Sequence, residues 1–297
     1  MSFIGLDWGS SHVRALLLDE QGSILDRREA PLGSTRVGGE WQAALDSLTS
    51  GWPARECLAC GMIGSREGWV ETGYLDAPAD AAAFAAALVD AGPVEIVPGL
   101  RGKSPVGRPD VMRGEETQLL GLLGDSALAP SSTLVLPGTH SKWVRAEETR
   151  VATFATVISG ELFELLGSHS LLAGPMKEGR TRGGSEPHSL EAFTRGVEAS
   201  ASSAPLVHEL FAVRAAWAQA SGELDPASFV SGLLIGAEVR AMLPLFPSER
   251  IELVGRGMLA RRYALALERV GVASRLHDGE AAVACGLAAI WRLKGPR

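Results

Sequence analysis

The sequence has few cysteines, no excess of basic residues and no long apolar run. Its 297 residues include 3 cysteines, and its formal net charge is −7 at pH 7. An acidic chain lacks the basic face that binds a phosphate backbone, which excludes nucleic acid as the main partner. No uninterrupted apolar stretch is long enough to span a bilayer. The first residues, MSFIGLDWGS, lack the basic segment of a signal peptide, so a cytoplasmic protein with no membrane partner is expected.

The scarcity of cysteine leaves one short motif, in which Cys57 and Cys60 stand three positions apart. A redox pair or half of a zinc site would have this spacing. A structural zinc ion needs four ligands, however, and Cys285 stands far away in an alanine-rich segment. Residues i and i+3 of a strand also point to opposite faces. We therefore expect both cysteines to be small apolar residues of a strand.

The chain does contain an internal repeat. Residues 3–30 and residues 133–158 each read as an apolar strand, a turn rich in glycine and hydroxyl residues, a second strand, a polar turn and a third strand. The turns contain Gly9, Ser10 and Ser11 in the first copy, and Gly138 and Thr139 in the second. Such turns allow backbone N–H groups and hydroxyls to approach a phosphate closely. One turn in each half of the chain predicts two lobes that close around a polyphosphate.

Outside the repeats, strands alternate with helices, which favours layered α/β domains with mixed sheets. The length allows two domains, which we place at residues 1–130 and 131–297. The closing helix could pack back on the first of them. The patterns predict helices over residues 80–91, 114–123, 160–172 and 280–293, and loops over residues 99–110 and 174–187.

Asp7 ends the first predicted strand, two positions before Gly9. A carboxylate beside a phosphate loop suits hydrated Mg²⁺, which keeps several waters and takes few protein carboxylates. Arg14, on the returning strand, could reach a transferred phosphoryl group. The alternative is a plain hairpin with a capping aspartate.

The second glycine turn differs from the first, because Leu136 stands where the aspartate would be. This loop is therefore expected to serve only the phosphates. His140 and Lys142 are candidate phosphate contacts there, although both could instead be solvated. The catalytic base must come from another segment.

Glu115 and Glu116 are the best candidates for that base. They open a predicted helix directly after Arg113 and Gly114. Adjacent carboxylates at this position could simply complement the helix dipole. The functional interpretation is that one of them orients or deprotonates an attacking hydroxyl, while the helix start, together with Arg113, attracts an anionic substrate.

A third glycine motif, at Gly255 and Gly257, follows the predicted strand 250–254 and opens a helix. A strand–glycine–helix junction allows a nucleobase or sugar to approach closely, although such a short motif alone usually indicates only tight packing. In a protein that closes around ATP, the adenosine would lie here.

These features resemble the actin/hexokinase/Hsp70 superfamily of ATP-dependent phosphotransferases. A closer resemblance, covering nearly the whole chain, is to the 2-dehydro-3-deoxygalactonokinase family. Its most specific parts are GEETQ and PGTHSKW. The other matching segments are LDWGSSHVRA, GMIGSREGW, PGL, VMRGEETQLLG, SGELFELL, SGLLIGAEV and GRGMLARRY.

The resemblance implies a two-lobed, actin-like (ribonuclease H-like) fold with duplicated mixed sheets flanked by helices. It implies transfer of the ATP γ-phosphoryl group, with Mg²⁺, to O6 of 2-dehydro-3-deoxy-D-galactonate in galactonate catabolism. The GEET segment also resembles the helix of exopolyphosphatases that carries their catalytic glutamate. Residues carried over as ATP contacts are Asp7, Gly9, Ser10, Ser11, Gly138, Thr139, Lys142, Gly255 and Gly257. Arg256, a bulky residue between the last two glycines, departs from the family pattern and could alter nucleotide preference.

A sugar acid is an anion, so its site requires a cation. The candidates are Arg36, Arg66, Arg101 and Arg113, each of which could instead be a solvated surface charge. Ser65 belongs to the same loop as Arg66, and Trp69 could form a wall of the pocket.

Other functions remain compatible with these motifs. They are a kinase for a related acid such as 2-dehydro-3-deoxygluconate, an exopolyphosphatase-like phosphohydrolase, and a non-catalytic actin-like ATP switch. The sequence leaves the stereochemistry of the sugar acid and a homo-oligomeric state open.

Overall fold

A computed structural model describes residues 1–54, 56–124, 128–181, 189–219 and 225–294. The strands are β1 (Ser2–Trp8), β2 (Val13–Asp19), β3 (Ile24–Ala30), β4 (Cys57–Gly61), β5 (Tyr74–Asp76), β6 (Val89–Asp90), β7 (Glu95–Ile96), β8 (Gly99–Lys103), β9 (Pro109–Met112), β10 (Ser131–Leu136), β11 (Ser141–Glu147), β12 (Arg150–Val157), β13 (Arg250–Val254) and β14 (Ala273–His277). The α-helices are α1 (Trp41–Thr49), α2 (Ala81–Ala86), α3 (Glu115–Leu123), α4 (Ser159–His169), α5 (Ala173–Thr181), α6 (Leu190–Ala199), α7 (Leu206–Ala218), α8 (Pro226–Met242), α9 (Gly257–Arg269) and α10 (Gly279–Lys294). Within these ranges, none of the helices is both long and apolar enough to cross a membrane.

The chain divides into two compact units. Unit 1 contains Met1–Leu134, Val144–Ala155 and His277–Arg297, and unit 2 contains Val135–Trp143 and Thr156–Leu276. These limits differ from residues 1–130 and 131–297, because most of β10 and β12, the second half of β11 and the whole of α10 belong to unit 1.

Unit 1 is built on a six-stranded sheet in the order β3-β2-β1-β4-β7-β6. The first predicted meander is confirmed, since β2 pairs antiparallel with both β1 and β3. The next neighbour of β1 is the parallel strand β4. Helix α1 has its apolar residues at helical spacing, and it buries Trp41, Leu45 and Leu48 in the core that covers this sheet.

Helices α3 and α10 of unit 1 meet at glycines. A Cβ added at Gly121 would lie 1.9 Å from the Ala282 carbonyl oxygen, and one added at Gly286 would lie 1.9 Å from the Thr117 carbonyl oxygen. The two helices therefore touch backbone to backbone. This contact fixes the position of α3, whose first residues are the paired glutamates.

Two predictions in unit 1 are wrong in part. The alanine-rich helix predicted over residues 80–91 ends at Ala86, and Val89–Asp90 pairs with β7 instead. The loop predicted over residues 99–110 contains β8 and the start of β9, which pair antiparallel and continue from β5 in a three-stranded sheet. Only one face of this hairpin is buried, through Leu100 and Met112, so it lacks a strong apolar pattern.

A second sheet has five strands in the order β12-β11-β10-β13-β14. It repeats the first sheet, in which the three strands of the meander, β3-β2-β1, are followed by β4, a strand from later in the chain. The second predicted meander is therefore confirmed. In unit 2, helices α6 and α8 also meet at glycines, since a Cβ at Gly232 would lie 2.0 Å from the Phe193 carbonyl oxygen.

The loop predicted over residues 174–187 begins within α5, which buries Met176 beside Val230 and Leu234 of α8. The prediction is wrong there, and residues 182–187 lie outside the described ranges. Apart from these differences, the structure has the duplicated α/β architecture that the repeat predicts.

Candidate active site

The first glycine turn, at Gly9–Ser11 in unit 1, is held by the loop that follows β3. The Gly9 N–H donates to the His12 carbonyl at 2.9 Å, which closes the turn. The carbonyls of Gly9, Ser10 and Ser11 accept from the N–H groups of residues 34, 35 and 33 at 3.0 to 3.2 Å. Within the described residues, the N–H groups of Ser10 and Ser11 donate no hydrogen bond, and both residues are exposed. The turn therefore presents donors to an anion while its acceptors are occupied.

Gly33 is required where this loop touches the turn. A Cβ at this position would lie 2.3 Å from the carbonyl carbon and oxygen of Ser10 and 2.4 Å from the carbonyl carbon of Ser11. Any side chain would push the loop away from the turn or deform it. The sequence motif GSTRV gave no direct sign of this contact.

Asp7 and Arg14 face each other across β1 and β2. The Arg14 Nη1 donates to Asp7 Oδ2 at 3.1 Å. Burial is the largest influence on Asp7 and raises its pKa, Arg14 opposes this, and the charges of Glu115 and Glu280 raise the pKa further. Burial and these negative charges together outweigh the effect of Arg14 on the Asp7 pKa, and a bound cation would reduce the repulsion.

The donor set fits a hydrated divalent cation rather than a caged one. Among the described residues, no group of three potential metal ligands lies close enough to hold an ion. Mg²⁺ commonly uses one or two carboxylates and retains water, and Asp7 would fit that pattern as a direct or water-mediated ligand.

The start of α3 lies against the end of β4. Gly61, at φ +93°, ends β4, and a Cβ on it would lie 2.7 Å from the Trp8 carbonyl oxygen. A Cβ on Gly114, at φ +103°, would lie 3.3 Å from the Gly61 Cα. These close approaches bring the helix start to the carboxyl ends of β1 and β4, where ligands of α/β proteins commonly bind.

The paired glutamates have different surroundings. Glu115 is half-buried, and its Oε2 accepts from the Arg113 N–H at 3.1 Å. Glu116 is fully buried, and both of its carboxylate oxygens accept from the Gly114 N–H, at 2.8 and 2.7 Å. Burial first, and then the charge of Glu115, raise the pKa of Glu116 from 4.5 to about 7. The two carboxylates therefore differ in access to solvent.

The cysteines of β4 are free thiols. Burial raises the pKa of Cys57 to about 11, and burial followed by the charge of Asp7 raises the pKa of Cys60 well above 9.0. Neither is therefore poised as a thiolate, in agreement with the interpretation as small residues of a strand.

The four candidate arginines of unit 1 fall into two groups. Arg101 forms a bidentate ion pair with Asp76, at 2.8 and 3.0 Å, so its charge is already neutralised. Arg113 donates to Thr72 Oγ1 at 2.7 Å and to the Gly73 carbonyl at 2.8 Å, and it therefore holds the segment before β5. By contrast, Arg36 and Arg66 are exposed and have no ion-pair partner among the described residues.

Trp69 is packed rather than projecting into open solvent. It stacks on Trp41 at 6.1 Å and 15°, and Trp41 in turn contacts Trp8 at 5.2 Å. These ring contacts connect the loop after β4, which contains Ser65 and Trp69, with β1, the strand that carries Asp7. In the same loop, the Ser65 hydroxyl oxygen is buried and has no hydrogen-bond partner in the described residues, so it is able to bind a polar ligand.

The second glycine turn, in unit 2, is packed against the first turn of α4. A Cβ on Gly160 would lie 2.5 Å from the Gly138 carbonyl oxygen and 2.7 Å from the Thr139 Cα. His140 Nε2 lies 2.7 Å from Glu161 Oε2. Lys142 is 5% exposed and its Nζ donates to the His140 carbonyl at 3.3 Å, so it supports the turn from within. Leu136, in the place of Asp7, is buried.

The third glycine motif, also in unit 2, connects β13 with α9. Gly255 has φ +154° and Gly257 has φ +76°, and both values favour glycine. Arg256 between them is extended and exposed, with φ −146°. The next residues, Met258 and Leu259, are each 37% exposed, so the junction offers an apolar surface beside a positive charge.

Glu238 is a buried charge that sequence reasoning missed. It lies on α8 and is 4% exposed. Its Oε1 accepts from Ser141 Oγ at 2.7 Å and from Trp143 Nε1 at 2.8 Å, and its Oε2 accepts from the Tyr263 hydroxyl at 2.9 Å. The one available signal was an acid within the apolar segment SGLLIGAEV, since buried glutamates are almost always paired.

Comparison with known proteins gives a family. The model of the 2-keto-3-deoxy-galactonokinase family matches residues 7–290. The 2-dehydro-3-deoxygalactonokinase of Escherichia coli (strain K12) is 37% identical over 295 residues, which cover 97% of each chain. A crystal structure from Sinorhizobium meliloti, named for the same kinase activity, is 35% identical, has a TM-score of 0.87 and covers 98% of each chain.

A more distant structure supports the fold alone. The activator of the 2-hydroxyisocaproyl-CoA dehydratase from Clostridium difficile, solved with bound ADPNP, is 12% identical with a TM-score of 0.54. The alignment covers 99% of this chain and 96% of that one. Because the family model spans nearly the whole sequence and the E. coli relative aligns along its length, this chain belongs to the 2-keto-3-deoxy-galactonokinase family.

Proposed function

We propose that this protein transfers the γ-phosphoryl group of ATP to O6 of 2-dehydro-3-deoxy-D-galactonate, in the cytoplasm, as a step of galactonate catabolism. Membership of the family supports the reaction class. The observation in unit 1 that carries the site assignment is the coupling of Asp7 with Glu115, whose charge raises the Asp7 pKa. A kinase needs two carboxylates in one place, one that binds the metal ion and one that takes the proton of the acceptor hydroxyl.

Glu115 is our candidate for the base. It is half-buried and so can meet a substrate, whereas Glu116 is fully buried and directs both oxygens to the Gly114 N–H. Glu115 would accept the proton of the attacking hydroxyl as the bond to phosphorus forms. Glu116 would hold the start of the helix through the Gly114 N–H.

Asp7 would hold Mg²⁺ through its waters, and the ion when bound neutralises charge on the β- and γ-phosphates. Arg14 lies at 3.1 Å from Asp7, so it would keep that carboxylate ionised and oriented. The N–H groups and hydroxyls of Ser10 and Ser11 would bind phosphate oxygens.

In unit 2, Gly138 and Thr139 would bind phosphate oxygens and the junction at Gly255–Gly257 would contact the adenosine. Lys142 supports the first of these loops through the His140 carbonyl, so its contribution to ATP binding would be mainly indirect. His140, which is exposed and close to Glu161, would be a secondary contact.

The carboxylate of the sugar acid would bind Arg36 and Arg66. Both are exposed, and neither has an ion-pair partner among the described residues of unit 1. Arg101 and Arg113 are less suited, because Arg101 already binds Asp76 and Arg113 already binds the Thr72 hydroxyl and the Gly73 carbonyl. The Ser65 hydroxyl is a further candidate contact, and Trp69 would support the loop.

The test is an ATP/Mg²⁺ assay of ADP formation across a panel of 2-keto-3-deoxy sugar acids that includes the gluconate isomer. The expected result is rapid ADP formation with the galactonate and little without a sugar acid. Phosphate release from ATP or polyphosphate alone would instead indicate a phosphohydrolase. Binding of ATP with no turnover of any sugar acid would refute the kinase proposal.

Glu115→Gln should lower kcat by about 100-fold or more, the usual contribution of a general base. Glu147→Gln, at an exposed glutamate of the same unit, serves as the matched control. If Glu115→Gln and the control behave alike, the base is another residue.

The carboxylate site is tested separately. Arg36→Ala and Arg66→Ala should raise KM for the sugar acid by about tenfold or more, since a lost charged hydrogen bond is worth ~1.5–3 kcal/mol. KM for ATP should change little. Arg108→Ala, at an exposed arginine of the same unit, is the control, and an unchanged sugar-acid KM in both test variants would exclude this site.

A further inference from the structure

The burial of Glu238 requires an explanation, because a carboxylate in the protein interior is costly to retain. Removing an ionised group from water carries a penalty of several kcal/mol, which paired donors only offset. Apolar residues of similar volume would often serve stability equally well. The three donors that converge on Glu238 therefore suggest a requirement for a particular arrangement of the segments that carry them.

Those segments are the two glycine loops of unit 2. Ser141 is the first residue of β11 and directly follows the turn Gly138–His140. Tyr263 lies in the second turn of α9, whose start follows Gly255. A single carboxylate on α8 is thus hydrogen-bonded to the element after one loop and to the element after the other.

The connection is rigid at each end. Trp143, also bonded to Glu238, is fully buried and packs on Phe246 with ring centroids 6.2 Å apart. Tyr263 is 1% exposed, and burial followed by the charge of Glu238 raises its pKa well above 10.0. Its hydroxyl therefore remains a donor at any physiological pH.

We propose that Glu238 is a positioning residue that sets the spacing of the second phosphate loop and the adenosine loop, and thereby the affinity for a nucleoside triphosphate. The inference rests on the proposed function, since it assigns both loops to ATP. A displacement of about 1 Å in groups that position a substrate can cost roughly 100-fold in rate, so a link of this kind has a measurable effect far from the ligand.

The first experiment compares Glu238→Ala and Glu238→Gln with wild type. The alanine variant should raise KM for ATP and Kd for ADP by about tenfold, equivalent to ~1.4 kcal/mol, while KM for the sugar acid stays within about twofold. The amide oxygen of glutamine can still accept from Ser141 and Trp143, and its NH₂ can donate to Tyr263. Glu238→Gln should therefore restore most of the ATP affinity lost in the alanine variant.

A purely structural role predicts a different pattern. It would lower thermal stability and the active fraction without separating the two KM values, and that result would overturn the proposal. Unchanged ADP binding in a folded Glu238→Ala variant would overturn it as well.

If Glu238→Ala does not fold, hydroxyl deletions decide the question. Ser141→Ala and Tyr263→Phe each remove one arm and should weaken ADP binding by about threefold or more, in line with a single hydrogen bond of ~1 kcal/mol. Ser231→Ala removes a buried hydroxyl of the same helix that is near Arg262 rather than Glu238, and it should leave ADP binding unchanged. Equal ADP binding in all three variants would overturn the proposal.

The same measurements separate this inference from the proposed function. Wild-type protein that neither binds ADP nor phosphorylates a sugar acid would refute the kinase function. Wild-type protein that does both, beside variants with unaltered nucleotide affinity, would refute only the role of Glu238.

Discussion

Replacing Glu116 with glutamine should remove a pH dependence from the stability of the protein. The Glu116 pKa is raised from 4.5 to about 7, mainly by burial. A carboxyl that binds its proton more tightly when folded stabilises the fold at low pH. That contribution is lost as the pH rises through the window from 4.5 to about 7.

The size follows from the pKa. A difference of one pKa unit between the folded and unfolded states corresponds to ~1.4 kcal/mol. The stabilisation that Glu116 loses between pH 5 and pH 8 is therefore about 2–3 kcal/mol. Glutamine is neutral throughout and can still accept from the Gly114 N–H, as the protonated acid does. The free energy of unfolding of Glu116→Gln relative to wild type should therefore rise by about 2–3 kcal/mol from pH 5 to pH 8.

Urea unfolding of both proteins at several pH values between 5 and 8 measures this difference. Titrations common to both proteins cancel in it, and any fixed cost of the substitution only shifts the curve. Glu147→Gln, at an exposed site, should give a flat difference. A flat difference for Glu116→Gln would show that burial does not raise the pKa of this carboxyl and would refute the reasoning.

Three further changes test the packing and charges around the site. Gly33→Ala should raise KM for ATP by about tenfold or more, because its Cβ would lie 2.3 Å from the Ser10 carbonyl group. If steady-state kinetics gave an unchanged KM, the loop that contains Gly33 would not be needed to support the first glycine turn. Gly121→Ala should lower the free energy of unfolding by more than ~2 kcal/mol, since the added carbon would lie 1.9 Å from the Ala282 carbonyl oxygen. A variant that unfolds at the same urea concentration as wild type would contradict this prediction. Asp7→Asn should raise the Mg²⁺ concentration needed for half-maximal activity by about tenfold, and a magnesium titration identical to wild type would remove Asp7 from the metal site.

The repeated meanders could be predicted because their signals are local. Each strand of the first copy alternates with turns marked by Gly9 and Gly22, and the same order returns around Gly138. The acid that distinguishes the two copies was likewise visible in the sequence, as Asp7 against Leu136. Such features depend on neighbours a few residues apart.

The missed elements depend on partners far away in the chain. The hairpin of β8 and β9 contains glycine, lysine and proline, and only its pairing reveals it as sheet. The bidentate pair of Arg101 with Asp76 and the three donors of Glu238 arise from tertiary contacts across 25 to 97 positions. No pattern of spacing in one sequence could separate Arg36 and Arg66 from the arginines that are already occupied.

The discontinuous make-up of unit 1 has a consequence for synthesis. Its helix α3, which carries Glu115 and Glu116, rests on α10, and α10 is made of the last residues described. During translation, every segment of unit 2 leaves the ribosome before α10 does. The glutamates therefore acquire their final support only after the whole of unit 2 has been synthesised. A nascent chain that stops before α10 should consequently be inactive, even though it contains Glu115, Glu116 and every segment of unit 2.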